Sequence, residues 1–400
     1  MANLNSWQRI DRVLSGKPFG DGADGAYNSS TIPTMTYRSC SGSSGSTTLT
    51  LGSAGFSNGD LLLIHQTRGT GAGQWEVNQI VSGGGTTSLT LLKALQYTYT
   101  DSGASQAQAI RIPRYTDVTV PSGATWTVPA WDGNTGGILV LAARGTVTIT
   151  GTISGAGCGY RGGSQPPSGS PSQPGYSGYR AEGINGGPND AGGVYNSTQT
   201  GANGNAGAGA CAGNISSNGS GHITGGGGGH ATTGSQGTTG FGPSQTASAG
   251  GGTAGSQDLT NMVFGGGGGA GSSYAEQAGQ AGQNGSGIVI LLAKTISVSG
   301  GINDDGVNGL TYPNGYGGNG GSGAGGSVLF VCKDATIGSS LVHAVGGTAG
   351  TATGAAGGIG RIALHYSGSY SGSTNPTLYA NLDPSLVEVM GGGAFLFNMI

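Results

Sequence analysis

Glycine recurs at every third position in several stretches of this chain: Gly201, Gly204 and Gly207; Gly279, Gly282 and Gly285; Gly317, Gly320, Gly323 and Gly326; Gly354, Gly357 and Gly360. Three residues make one turn of the extended left-handed polyproline II helix, where a missing Cβ lets neighbouring backbones touch. Ninety of the 400 residues are glycine, and each costs roughly 0.5–1 kcal/mol more than alanine to order. Dense main-chain hydrogen bonding between adjacent segments has to offset that cost, with Cα–H···O contacts in support. Evenly spaced apolar islands and a formal net charge of only −3 set the chain apart from fully disordered sequences. The G-X-Y register is nowhere sustained, which excludes collagen.

The apolar islands share a plan. Gly136-Gly137 opens the run Ile138–Ala143, Arg144 follows, and Val147-Thr-Ile149 and Gly151-Thr-Ile153 come next. Gly287, Ile288–Ala293, Lys294, Ile296-Ser-Val298 and Gly301-Ile302 repeat the order. So do Gly325-Gly326, Val328–Cys332, Lys333, Ala335-Thr-Ile337 and Leu341–Val345, and Gly358–Leu364 starts a fourth copy. A continuous apolar strand is buried on both faces, whereas an alternating one has a wet side. Such units cannot bury their own surface, so they must stack. The bases Arg144, Lys294 and Lys333 mark where each apolar strand leaves for solvent.

Ahead of these units, alternating or apolar runs between glycine and asparagine turns (Thr47–Leu51, Leu61–His65, Trp75–Val81, Ser88–Leu92, Ala109–Ile112) predict a small antiparallel barrel or sandwich over about 45–118. Residues 3–14 predict a short helix with Leu4, Trp7, Ile10 and Leu14 on one face. That face docks either on its own domain or on a partner subunit, as an anchor. The expected fold class is all-β. A small N-terminal barrel or sandwich precedes stacked glycine-rich strand repeats with a polyglycine II-like insertion. The expected divisions are 1–44, 45–118, 119–366 with the insertion at 156–285, and 367–400, which ends in an apolar tail.

Chemistry-bearing residues are sparse. Charged residues make up 8% of the chain, which offers no electrostatic basis for binding nucleic acid. No apolar stretch approaches the 18 residues of a membrane-spanning helix, and the N-terminus lacks the build of a secretory signal, so assembly in the cytoplasm is expected. Cys40, Cys158, Cys211 and Cys332 form no C-x-x-C; they read as isolated buried thiols, with a Cys158–Cys211 disulfide as the alternative that spacing does not decide. His65, His222, His230, His343 and His365 make no metal-ligand spacing, although His343 and His365 occupy similar strand positions. Asn303–Gly309 is calcium-like in composition but breaks the calcium-loop pattern, so an Asx-stabilised turn is expected. No Walker-type loop or nucleophile elbow is present. The long insertion holds few carboxylates (Glu182, Asp190, Asp258 and Glu276), too few to suggest a glycoside-hydrolysing pair. No metal, cofactor or catalytic residue is therefore expected. Its tyrosines, in contrast, have the composition of binding loops: Tyr160, Tyr176, Tyr179 with Arg180, and Tyr195, among Ser, Gly and Asn.

The Gly-Gly strand units, the five-glycine runs Gly225–Gly229 and Gly265–Gly269, and the period-three glycines resemble glycine-rich tail-fibre and adhesin proteins of tailed phages. Gly59–Glu76 is similar to an N-terminal module of related fibre and surface proteins. The resemblance implies a non-enzymatic virion protein of the tail, in which polyglycine II helices present variable loops. It also implies partners: copies of itself, a trimer being usual, other tail or baseplate proteins, and a host-surface glycan or protein. A cellular surface adhesin or filament subunit is the alternative expectation, and a polysaccharide-degrading tailspike a more distant one.

Overall fold

In Thr48-Leu-Thr-Leu51 the threonines face solvent and Leu49 and Leu51 are buried, the alternation of a strand with one wet side. The structure is a computed structural model that describes residues 19–168, 176–187, 202–207, 223–238, 247–273, 277–311, 318–350 and 354–386. Among them the fold is all-β, without a helix. After β1 (Tyr27–Asn28), six strands close an antiparallel barrel: β2 (Tyr37–Ser41), β3 (Thr48–Leu51), β4 (Leu61–Arg68), β5 (Trp75–Ser82), β6 (Ser88–Leu91) and β7 (Gln106–Ile112). Leu49, Leu51, Leu62, Ile64, Ile80, Leu89 and Ala109 fill it. Leu61, Leu63, Trp75, Val77, Ile110 and Ile112 point the other way, onto a second sheet. The barrel is thus offset from the expected 45–118. Tyr37–Ser41 closes it between β3 and β7, and Pro113, which has no N–H to donate, separates it from strands that belong to the next sheet.

That sheet is parallel and curled. It begins with β8 (Arg114–Tyr115), β9 (Val118–Val120) and β10 (Thr125–Thr127). β11 (Ile138–Ile149), β12 (Thr152–Ser154), β13 (Ile288–Val298), β14 (Gly301–Asn303) and β15 (Ser327–His343) follow, then β16 (Arg361–Tyr366), β17 (Tyr370–Asn375) and β18 (Tyr379–Leu382). Register is kept from strand to strand: Leu141 pairs with Leu291, Leu291 with Phe330, and Phe330 with Leu364. One face of this row (Leu139, Leu141, Val289, Leu291, Val328, Phe330) lines the inside of the curl. The other (Ile138, Val140, Ile288, Ile290, Leu329, Val331) packs on the barrel. This is why the run is apolar without interruption. Beyond Arg144, Lys294 and Lys333 only alternate residues (Val147 and Ile149, Ile296 and Val298, Ala335 and Ile337) join the core inside the curl, none of them packs on the barrel side, and the pattern becomes alternating. Trp126, Ile153, Ile302 and Val342 close the third side of the core. The three bases do not end their strands; they are exposed at a corner through which the strands continue.

The glycine-rich segments lie against the starts of these strands and bond in steps of three. Gly265, Gly268 and Gly271 donate to Ser286, Gln283 and Gln280. Gly266, Gly269 and Ser272 donate to Gly229, Gly226 and Ile223, while Gly267, Ala270 and Ser273 donate to Glu182, Tyr179 and Tyr176. Successive residues of 265–273 therefore serve three different neighbours. The segment 318–326 behaves alike: Gly318, Gly321 and Ala324 donate to Ser272, Gly269 and Gly266, and Gly323 and Gly326 to Val307 and Asp304. A Cβ added at Gly228 would fall inside the contact radius of the Gly266 carbonyl oxygen, whereas one at Gly301 meets the nearest atom, the Leu341 oxygen, at 3.5 Å. Overpacked backbone has no flexible side chain to yield, so Gly228→Ala is expected to cost about 1–3 kcal/mol or more. Gly301→Ala should be nearly neutral; urea denaturation of both variants checks the contrast.

Candidate functional site

The hydrogen-bond steps give the glycine bundle two ends. Gly265 is bonded beside Ser286, just before β13, and Ser273 lies eight residues further out. Ile223 and Tyr176 meet Ser272 and Ser273 at this outer end, Thr238 meets Thr224, and Leu310 is exposed near Gly320.

Tyr176 and Tyr179 sit on the segment that flanks 265–273. The Tyr176 amide donates to Ser273 Oγ at 2.6 Å, and the Tyr176 and Tyr179 carbonyls accept from the Ser273 and Ala270 amides, each at 2.9 Å. The two carbonyls thus meet amides three residues apart on the same partner segment. Both are half-buried, as is Arg180, whose Nε has no hydrogen-bond partner among the described residues. The structure thus brings Tyr176, Tyr179 and Arg180 together toward the outer end.

Tyr160 is elsewhere. It is fully buried, its hydroxyl donates to the Thr67 carbonyl of the barrel, and its ring packs edge-on against Phe264 with centroids 5.2 Å apart. It is a core residue between barrel and bundle, which corrects its reading as a loop tyrosine. Tyr195, Leu4, Trp7, Ile10 and Leu14, and with them the expected helix and the apolar tail, lie outside the described residues.

Beside Tyr160 lies an ion cluster that composition did not single out. Glu182 is fully buried; its Oε1 accepts from Arg68 of β4 and its Oε2 from Arg161 Nε at 2.9 Å. Arg68 Nε also donates to the Ala104 carbonyl at 2.9 Å. The cluster joins the barrel to the bundle.

The described histidines have structural partners. Burial pushes His65 and His230 down to about 4, and their rings bond to the Met262 and Gly325 carbonyls, each at 2.8 Å. His343 contacts Asp305 at 2.6 Å, while His365 meets the Asp258 carbonyl at 3.0 Å. The two do not form the pair their strand positions allow. Asn303 Oδ1 accepts from the Asp305 amide at 3.0 Å, an Asx turn. Cys40, Cys158 and Cys332 are buried free thiols, and burial raises Cys158 and Cys332 to about 12; Cys211 lies outside the described residues. Among the described residues no three His, Cys, Asp or Glu side chains gather in a way that could hold a metal ion. No family model, curated protein or solved structure matches the chain.

Proposed function

We propose that this chain is a non-enzymatic structural subunit of a virion, a tail-fibre or receptor-binding protein that adheres to a host surface through the outer end of its glycine bundle. The observation that carries this reading is the three-way hydrogen bonding of 265–273. Segments bonded to neighbours on three sides form a stiff lattice of polyglycine II character, and the glycine-rich strand units are its repeated base. Stiffness holds the outer end about 25 Å from the sheet, where surface side chains can vary without disturbing the core. Tyr176 and Tyr179 offer flat faces with hydrogen-bonding tips, and Arg180 a charged fork, which suits a host glycan or protein. Self-association, with a trimer usual for fibres, and attachment to other tail or baseplate proteins belong to the same reading.

The test is adsorption of the full chain to intact candidate host cells, paired with immunogold labelling of particles. The triple variant Tyr176→Ala, Tyr179→Ala, Arg180→Ala is expected to lose adsorption while melting within a few degrees of the parent, since a half-buried ring contributes about 1 kcal/mol or less beyond its area. Unchanged adsorption overturns the placement of the site. Label on cell envelopes instead of particles favours a cellular adhesin, and release of oligosaccharide from the surface overturns the non-enzymatic reading.

A further inference from the structure

The corner of the parallel sheet carries a row of cations that the bundle reading does not use. Lys294 follows Ala293 and Lys333 follows Cys332, and those preceding residues pair directly across β13 and β15. On β11 the register shifts between Ala143 and Thr146, so that Arg144 and Gly145 bulge opposite Lys294. Neighbouring strands are about 4.8 Å apart, and like charges facing each other across strands are destabilising. Lys333 is relieved by Asp334 at 3.7 Å. Arg144 and Lys294 are exposed and form no ion pair among the described residues. The two line one cleft of about 330 Å³ together with Thr116, Asp117 and Gly145. Asp117, the only carboxylate of that lining, is turned to the backbone, its Oδ1 accepting from the Thr146 amide at 2.8 Å. A chain with 14 lysines and arginines in all places two of them unpaired in one cleft and a third on the next strand.

We infer that the Arg144–Lys294 cleft is an oxyanion site for a sulfate or carboxylate group, with the Thr116 hydroxyl as a further polar contact and Lys333 extending the row along the sheet. A guanidinium and an ammonium side by side recognise such a group by charge-assisted hydrogen bonds. The same chemistry is offered by a free anion or by an acidic glycan. The row of bases across successive strands favours the glycan, because several anionic groups on one chain can engage it together.

The experiment uses the full chain and titrates sodium sulfate and a sulfated heparin-type oligosaccharide by calorimetry. The parent is compared with Arg144→Ser/Lys294→Ser, and with Lys93→Ser as a control for a base elsewhere. The double variant is expected to weaken binding by about tenfold or more, as loss of charged hydrogen bonds implies, and rising salt should weaken the parent. Oligosaccharide binding that sulfate displaces identifies a glycan site; sulfate binding without oligosaccharide binding identifies a free-anion site. Absence of both, or binding that the double variant retains, overturns the inference. Because Arg144 and Lys294 lie on the sheet and not at the bundle's outer end, this result is independent of the Tyr176, Tyr179 and Arg180 test.

Discussion

Glu182→Ala is expected to destabilise the protein by about 3–5 kcal/mol, the cost of leaving buried charges without their partner. Glu182 is fully buried and Arg68 has a side-chain exposure of 8%, so removing the carboxylate strands a guanidinium that water cannot reach. Arg161, at 38%, can turn outward and costs less. The loss falls on the junction, because Arg68 belongs to the barrel and Glu182 to the bundle. Trp75, whose indole donates to the Leu259 carbonyl at 3.0 Å across the same junction, is a fluorescent reporter for it. Urea unfolding followed by fluorescence and by circular dichroism should give a lower midpoint for the variant. Glu182→Gln, which keeps the shape and loses the charge, should fall between the variant and the parent. A triple replacement of Arg68, Glu182 and Arg161 by apolar residues should recover much of the loss, since a packed apolar substitute for an ion cluster is often neutral or better. A loss under about 1 kcal/mol, the value of an exposed pair, would show that the cluster is solvated in practice.

The strands were legible because burial on one or two faces writes itself into hydrophobic spacing. Ile138–Ala143 and Ile288–Ala293 are unbroken apolar runs that lie between the curl and the barrel, and Val147-Thr-Ile149 alternates where the outer face is wet. The triplet glycines did not say which segments would be neighbours. That pairing is set by contacts such as Gly266 to Gly229 and Gly321 to Gly269, and identical glycines carry no label to encode it. The Glu182 cluster was invisible for a related reason: Arg68 and Glu182 are 114 positions apart, and a lone acid in a polar stretch reads as solvated. Tyr160 was misplaced because its neighbours in sequence are glycines and prolines, while its neighbours in space are Phe264 and the barrel. Arg144, Lys294 and Lys333 were read as strand exits. The bases are indeed exposed, but periodicity could not distinguish the end of a strand from a bend in one.

Asp304 is expected to make stability fall as pH rises above the usual carboxylate range. Its side chain is fully buried and, among the described residues, neither carboxyl oxygen has a hydrogen-bond partner. Burial first, and the charge of Asp305 second, raise its pKa well above the usual carboxylate value, so the folded protein holds a proton there that the unfolded chain, at about 3.9, releases. With more protons bound in the folded state, stability is full below the unfolded value and falls as pH rises toward the folded one. The slope is about 1.4 kcal/mol per pH unit for as long as the folded carboxyl keeps its proton. His65 and His230 act in the opposite sense. Burial lowers both to about 4, so their contribution is present above the unfolded value of about 6.5 and is lost as pH falls through the folded one. Below about 6.5 the histidines oppose Asp304; above it they are neutral in both states and no longer do. Asp304→Asn removes the titrating proton and nearly preserves the shape. The stability of the variant minus that of the parent should therefore increase as pH rises from the unfolded carboxylate value toward the raised folded one, whatever its value at the start. Urea denaturation of both proteins in matched buffers measures that difference directly. A difference that stays flat from pH 5 to pH 8 would mean that Asp304 ionises in the fold as it does in the unfolded chain, with water or a donor reaching its carboxylate.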